Sequence, residues 1–237
     1  MNEMTQDTPV HTRPVSRRAM LGLAAGAAAL AGLGLPAPVH ALAPRVPPTT
    51  PDEALRALIE GNRRFVAGQE TEPHRSMQRV RELAASQAPF AAILSCADSR
   101  VPVELVFDQG FGDLFVCRAA GNIATPELIG SLEFGTAVLG AKVLMVLGHS
   151  SCGAVKAAIE NAAVPGQISS LYAHLHPAVR TAGPDVARTV EENVRVQTAL
   201  LRGSSPVIAG LVRENKLKVV GGVYDLATGA VRMVDQG

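Results

Sequence analysis

Pro89 to Arg100 reads PFAAILSCADSR. Phe90 to Ser95 is a short, unbroken apolar run, and such runs belong to strands buried on both faces, as in a parallel sheet. A thiol, a carboxylate and a guanidinium follow within five positions, as Cys96, Asp98 and Arg100. A second stretch has the same plan. Ala141 to Gly153 reads AKVLMVLGHSSCG, an apolar strand expected to break at Gly148 and followed by His149 and Cys152. Two strands, each ending in reactive side chains, set the fold and the chemistry together.

The segments around them alternate in the same way. TPDEALRALIEGNRRFVAG (Thr50 to Gly68) starts a helix: Thr50 can cap it, Pro51 suits the first position, and Asp52 and Glu53 suit the dipole. Ala54, Leu55, Leu58, Ile59 and Phe65 keep helical spacing. SMQRVRELAASQ (Ser76 to Gln87) predicts a second, more polar helix. VPVELVFDQ predicts a short helix and DLFVCRAA a strand. TPELIGSLEFGTAVLG predicts one helix capped by Thr125, and AVKAAIENAA another. Further helices fill Ser170 to Asn215, and LKVVGGVYDLATGAVRMVD closes as a strand pair turning at ATGA. The expectation is a single α/β domain with a mostly parallel central sheet flanked by helices and an antiparallel strand near the C-terminus. In such sheets, ligands bind beyond the carboxyl ends of the strands, where both reactive stretches fall.

Cys96, Asp98, His149 and Cys152 form a donor set that zinc accepts in tetrahedral geometry. Cys96 and Asp98 share one side of an extended segment, because strand side chains alternate. Asp98 and Arg100 are expected to do the same. His149 and Cys152 share one side of a tight turn. Each alone has a plainer reading, Cys96 as an inert buried thiol and His149 as a satisfied polar residue. The two pairs at two strand ends outweigh those readings. Cys117 lies inside a strand and reads as a spare buried cysteine. His174 and His176, two apart on a helix, point to different faces and read as surface or core residues.

Bulk properties narrow the partners. The chain has 237 residues, is 47% hydrophobic and carries a formal net charge of +1. That balance gives no case for nucleic acid. Three cysteines are too few for a disulfide framework. Residues 1–41 have the layout of a secretory signal that is removed: paired arginines Arg17 and Arg18, an uncharged run from Ala19 to Leu35, and small residues Val39 and Ala41 before a cut. The arginine pair and the glycine-broken core look like the twin-arginine variant, which predicts export to the periplasm. A retained membrane anchor is the alternative, disfavoured by four glycines in so short a run. Residues 42–51 read as a Pro-rich leader, and 52–237 as the catalytic domain.

Cys-x-Asp-x-Arg followed by His-x-x-Cys-Gly resembles the β-class carbonic anhydrase family, its plant-type branch in particular. The likeness extends from EALRALIEGNRRFVAG through GDLFVCRAAGN and GSLEFGTAVLG to GGVYDLATGAV. It implies that Cys96, His149 and Cys152 hold one zinc ion per chain. It implies further that Asp98 is either the fourth ligand or held off the metal by Arg100, so that this pair gates the fourth position. Gln87 matches a glutamine that reaches substrate, Phe115 an apolar wall, and Gly153 a backbone N–H donor. Phe134 stands where that branch often has Tyr, and Ala119 where many members have Asn. The implied reaction is reversible hydration of carbon dioxide to bicarbonate and a proton by zinc-bound hydroxide, with Asp98 and Arg100 as the catalytic pair. The implied assembly is a homodimer or homotetramer with pockets shared between subunits. The competing readings are a non-catalytic structural zinc protein, or the same fold acting on carbonyl sulfide or carbon disulfide.

Overall fold

A computed structural model of the protein describes residues Val46 to Gly237. Residues 1–41, expected to be a signal sequence, and the first part of the expected leader lie outside the described residues. Among the described residues no helix is long and apolar enough to cross a membrane.

Five strands form one sheet in the order β2-β1-β3-β4-β5. They are β1 (Ala91–Ser95), β2 (Leu114–Arg118), β3 (Val143–His149), β4 (Lys218–Tyr224) and β5 (Val231–Asp235). The first four run parallel, and β5 pairs antiparallel with β4. Every residue of β1 and β3 is buried, as their continuous apolar sequences require. The register sets Ser95 opposite both Arg118 and Leu147. The carboxyl ends of β1, β2 and β3 therefore lie side by side.

Helices cover both faces. On one, α1 (Pro51–Ala67) and α3 (Val103–Val106) pack Ala54, Leu58, Val103 and Val106 against Ile93, Met145 and Leu147. On the other, α4 (Pro126–Glu133), α7 (Val186–Ser204) and α8 (Pro206–Arg213) pack Leu132, Val194, Leu201 and Ile208 against Leu94, Leu144 and Val146. A third cluster joins α5 (Gly153–Glu160) and α6 (Tyr172–Ala182) through Val155, Ala158, Tyr172 and Leu175 to Cys96 and Cys152. Burial of a side chain such as Leu58 or Ile93 contributes about 1.5–3 kcal/mol. α1 begins as its sequence predicts. The Thr50 hydroxyl accepts from the Glu53 N–H, and the Glu53 carboxylate accepts from the Thr50 N–H, a complete capping box.

Four local expectations need correction. β3 does not break at Gly148 but runs on to His149. The glycine is there for packing: a Cβ at Gly148 would stand 2.7 Å from Val194 of α7, so its absence lets helix and strand close up. The second helix, α2 (Met77–Glu82), stops well before Gln87. It buries no residue, and a helix without a packed face is marginal. The helix from Pro126 changes character after Glu133, and Phe134–Val138 is a π turn. The Thr136 hydroxyl donates to the Leu132 carbonyl at 2.8 Å, competing for the acceptor that the Thr136 N–H would use in an α-helix. Thr125 sits at the cap position, but its side chain makes no cap hydrogen bond.

Candidate metal centre

The end of β1 delivers Cys96, the end of β3 delivers His149, and the residue before α5 delivers Cys152. All three are nearly sealed from solvent, at 4%, 0% and 2% exposure. One ligand atom from each lies within 4.8 Å of the other two. Nδ1 of His149 donates to the Ser150 carbonyl at 2.9 Å. That bond fixes the tautomer and leaves the Nε2 lone pair facing the sulfurs. Nε2 is buried and, among the described residues, has no hydrogen-bond partner. A buried nitrogen without a partner is costly, and beside two thiols it fits a metal ion as the missing one.

The electrostatics agree with a metal-ligand role. The Cys96 thiol pKa is pulled down, first by the Cys152 S–H, then by His149 and by N–H groups of Gly121 and Asp98, against the cost of burial. Cys152 is pushed up, first by the neighbouring Cys96 sulfur and then by burial, although the N–H groups of Val155 and Ala154 at the start of α5 oppose this. Two thiols side by side in a dry pocket do not both ionise without a cation. Burial opposes charging His149, but the Cys96 sulfur, the Ser150 carbonyl and Asp98 outweigh it and raise its pKa. The donor set of two sulfurs and one imidazole suits a soft or borderline metal.

Asp98 stands beside this cluster, its carboxylate held by Arg100. Arg100 holds both carboxylate oxygens, with Nε to Oδ1 at 2.9 Å and Nη2 to Oδ2 at 2.7 Å. Oδ2 is also 3.7 Å from Nε2 of His149. The Asp98 pKa falls below the usual carboxylate range, chiefly through the Arg100 hydrogen bonds. The backbone here is not the extended segment predicted. The Val101 N–H donates to the Asp98 carbonyl at 3.1 Å, closing a turn, and the Arg100 N–H donates to Oδ1 at 3.0 Å. An aspartate that bonds its own backbone two residues on favours this turn.

Two contributors were not foreseen. Arg118 donates from Nε to the Cys96 carbonyl at 3.0 Å and from Nη2 to the Asp98 carbonyl at 2.6 Å. It thereby fixes the backbone that carries Cys96 and Asp98. Its position as the last residue of β2, level with Ser95, was the available signal. The Gly121 N–H donates to Sγ of Cys96 at 3.3 Å, from a backbone with φ of 77° that glycine adopts freely.

The remaining expected residues are more scattered. Gly153 is the first residue of α5, next to Cys152. Phe115 and Phe134 meet each other, with ring centroids 6.4 Å apart. Neither belongs to the apolar cluster around the ligands, which includes Ile123, Val155 and Tyr172. Gln87 is exposed and lines a surface groove with Val80, Leu83 and Phe111. Cys117 is a buried free thiol, its pKa raised by desolvation, and has no place in the ligand cluster.

The family model described as carbonic anhydrase matches residues 91–231. Carbonic anhydrase 2 of Mycobacterium tuberculosis is 39% identical over 198 residues, covering 80% of this chain and 96% of that protein. The solved β-carbonic anhydrase CafA of Aspergillus fumigatus superimposes with a TM-score of 0.61 at 26% identity, covering 76% of this chain and 89% of that one. A tetrameric β-carbonic anhydrase of Sordaria macrospora gives a TM-score of 0.60 at 25% identity over 65% and 84% of the two chains. With the parallel sheet, the Cys–His–Cys cluster at its carboxyl ends and these likenesses together, the chain belongs to the β-class carbonic anhydrase family.

Proposed function

We propose that the protein catalyses the reversible hydration of carbon dioxide to bicarbonate and a proton, with one zinc ion held by Cys96, His149 and Cys152. The observation that carries this reading is the grip of Arg100 on both oxygens of Asp98, next to three ligand atoms that converge without it. Three protein ligands and a free fourth position characterise catalytic zinc, whereas structural zinc is closed by four. When bound, zinc supplies Lewis acidity that lowers the pKa of coordinated water to about 7 in favourable sites.

The chain's own groups do the rest. Asp98, kept ionised by Arg100, accepts a hydrogen bond from the attacking water and aims its lone pair at the carbon of the substrate. Its lowered pKa suits it to accept that bond as a carboxylate. Arg100 competes with the metal for Asp98 and so sets the open fraction of sites. Its bidentate fork makes it the suited competitor. Ile123 and Val155 give the ligands apolar neighbours that favour an uncharged substrate. Gly153 offers a backbone N–H. Gln87, Phe115 and Phe134 act in a pocket completed by a second copy of the chain, in a homodimer or homotetramer. Export through the twin-arginine pathway rests on residues 1–41, with the arginine pair at Arg17 and Arg18. A reporter carrying that segment should stay inside cells that lack the translocase.

The test is metal content and stopped-flow hydration on the purified protein. One zinc per chain and a catalysed rate that a chelator abolishes are expected. Tightly bound zinc with no hydration would instead establish a structural site.

A further inference from the structure

Behind the ligand cluster, α7 carries two amide side chains, Asn193 and Gln197, one turn apart and each about 1% exposed. Asn193 Nδ2 donates to the Gly121 carbonyl at 2.8 Å. Gln197 Nε2 donates to Asn193 Oδ1 at 3.1 Å, while its Oε1 accepts from the Ala124 N–H at 2.9 Å. The two amides thus hold the short turn at Ala120–Asn122 from behind. The same turn sends the Gly121 N–H to Cys96 Sγ. Buried amides on a helix interior are expensive unless every partner is supplied. Here the partners lie 72 and 73 residues away in sequence, on one segment.

We propose that Asn193 and Gln197 are positioning residues for the metal centre, forming a relay that locks the Gly121 N–H onto the Cys96 sulfur. This rests on the reading of Cys96, His149 and Cys152 as metal ligands. The Gly121 N–H withdraws charge from the Cys96 thiolate and fixes its lone pair. Asn193 supplies the one donor that reaches the Gly121 carbonyl from α7, and Gln197 orients that amide. Partners of this kind commonly contribute about 10- to 100-fold in metal affinity.

The test uses Asn193→Asp and Gln197→Glu, near-isosteric changes that each delete a donor, with Thr198→Val on the same helix as control. Zinc affinity is measured by chelator competition. The sulfur-to-metal charge-transfer band is recorded after cobalt(II) replacement. The relay predicts that Asn193→Asp weakens zinc about 10- to 100-fold and moves the cobalt band to lower energy, because an unbonded thiolate donates more strongly. Gln197→Glu should do the same less strongly, and Thr198→Val should do neither. Folded variants with the affinity and band of the wild type would overturn the relay. If a variant does not fold, cadmium-113 in the wild-type protein decides. A scalar coupling between cadmium and the Gly121 amide proton supports the Gly121–Cys96 bond, and its absence overturns the proposal. A wild-type protein that binds none of these metals would overturn the metal reading itself.

Discussion

Asp98 and Asp108 lie ten positions apart, and each is paired with an arginine, yet the two pairs are built for opposite purposes. Asp108 is fully buried. It accepts from Arg64 Nε at 2.7 Å, from the Thr71 N–H and hydroxyl at 3.0 and 2.9 Å, and from the Glu72 N–H at 2.9 Å. Burial alone would raise its pKa, but these bonds prevail and lower it. It pins the Thr71–Glu72 segment to the start of the Asp108 turn. Asp98 is 18% exposed, and its arginine is 58% exposed. Among the described residues its side-chain partners come from Arg100 alone, apart from the histidine nitrogen 3.7 Å away. A carboxylate with partners from several segments cannot leave. One with a single solvent-facing partner can be exchanged between that partner and a metal. The same two residue types therefore make a rivet in one place and a looser, solvent-facing pair in the other, and the proposed exchange of Asp98 between arginine and metal needs the looser one.

The largest stability effect belongs to the rivet. Asp108→Ala should cost about 3 kcal/mol, because it strands Arg64 and the two loop N–H groups. Urea unfolding measures this, and a cost under about 1 kcal/mol would place Asp108 with ordinary surface pairs. Arg202–Asp235 is an intermediate case, with the carboxylate 19% exposed and also bonded by the Thr198 hydroxyl. Arg202 lowers the Asp235 pKa to about 2. A depressed carboxylate pKa stabilises the fold above the unfolded value near 4, and the gain disappears as pH falls from about 4 to about 2. After allowance for solvent screening, Asp235→Asn should cost about 1 kcal/mol at pH 7. Wild type and variant should converge in thermal melts as pH drops through that window. A gap independent of pH would remove the ion pair as its cause. The smallest stability effect should come from Arg100→Ala, whose melting temperature should match the wild type. Arg100→Lys should also melt normally but lose part of the activity, since a lysine cannot hold both Asp98 oxygens.

Local pattern made much of this readable. Continuous apolar runs marked β1 and β3, and the ligands follow those runs so closely in sequence that strand ends and site were found together. What sequence did not disclose depends on tertiary register. Arg118 serves the site because β2 lies beside β1 with Ser95 and Arg118 level, which no local motif states. Asn193 and Gln197 reach a turn some 70 residues away, and on their own helix they look like ordinary polar positions. The turn at Asp98 was missed because the period-two rule for strands was extended past the end of β1. Gly148 was read as a strand breaker, whereas its role is the close approach of Val194. A missing side chain in sequence does not reveal which neighbour needs the space.

The proposed chemistry requires Asp98 to be a carboxylate that Arg100 draws off the metal. The most direct test is zinc content and stopped-flow hydration rate, measured together on wild type and Arg100→Ala at neutral pH. The prediction is equal zinc, near one per chain, with hydration lowered about 100-fold, as when a positioned acceptor is lost from the reacting water. Equal zinc with an undiminished rate would contradict it, because Asp98 would then need no partner to keep the fourth position open.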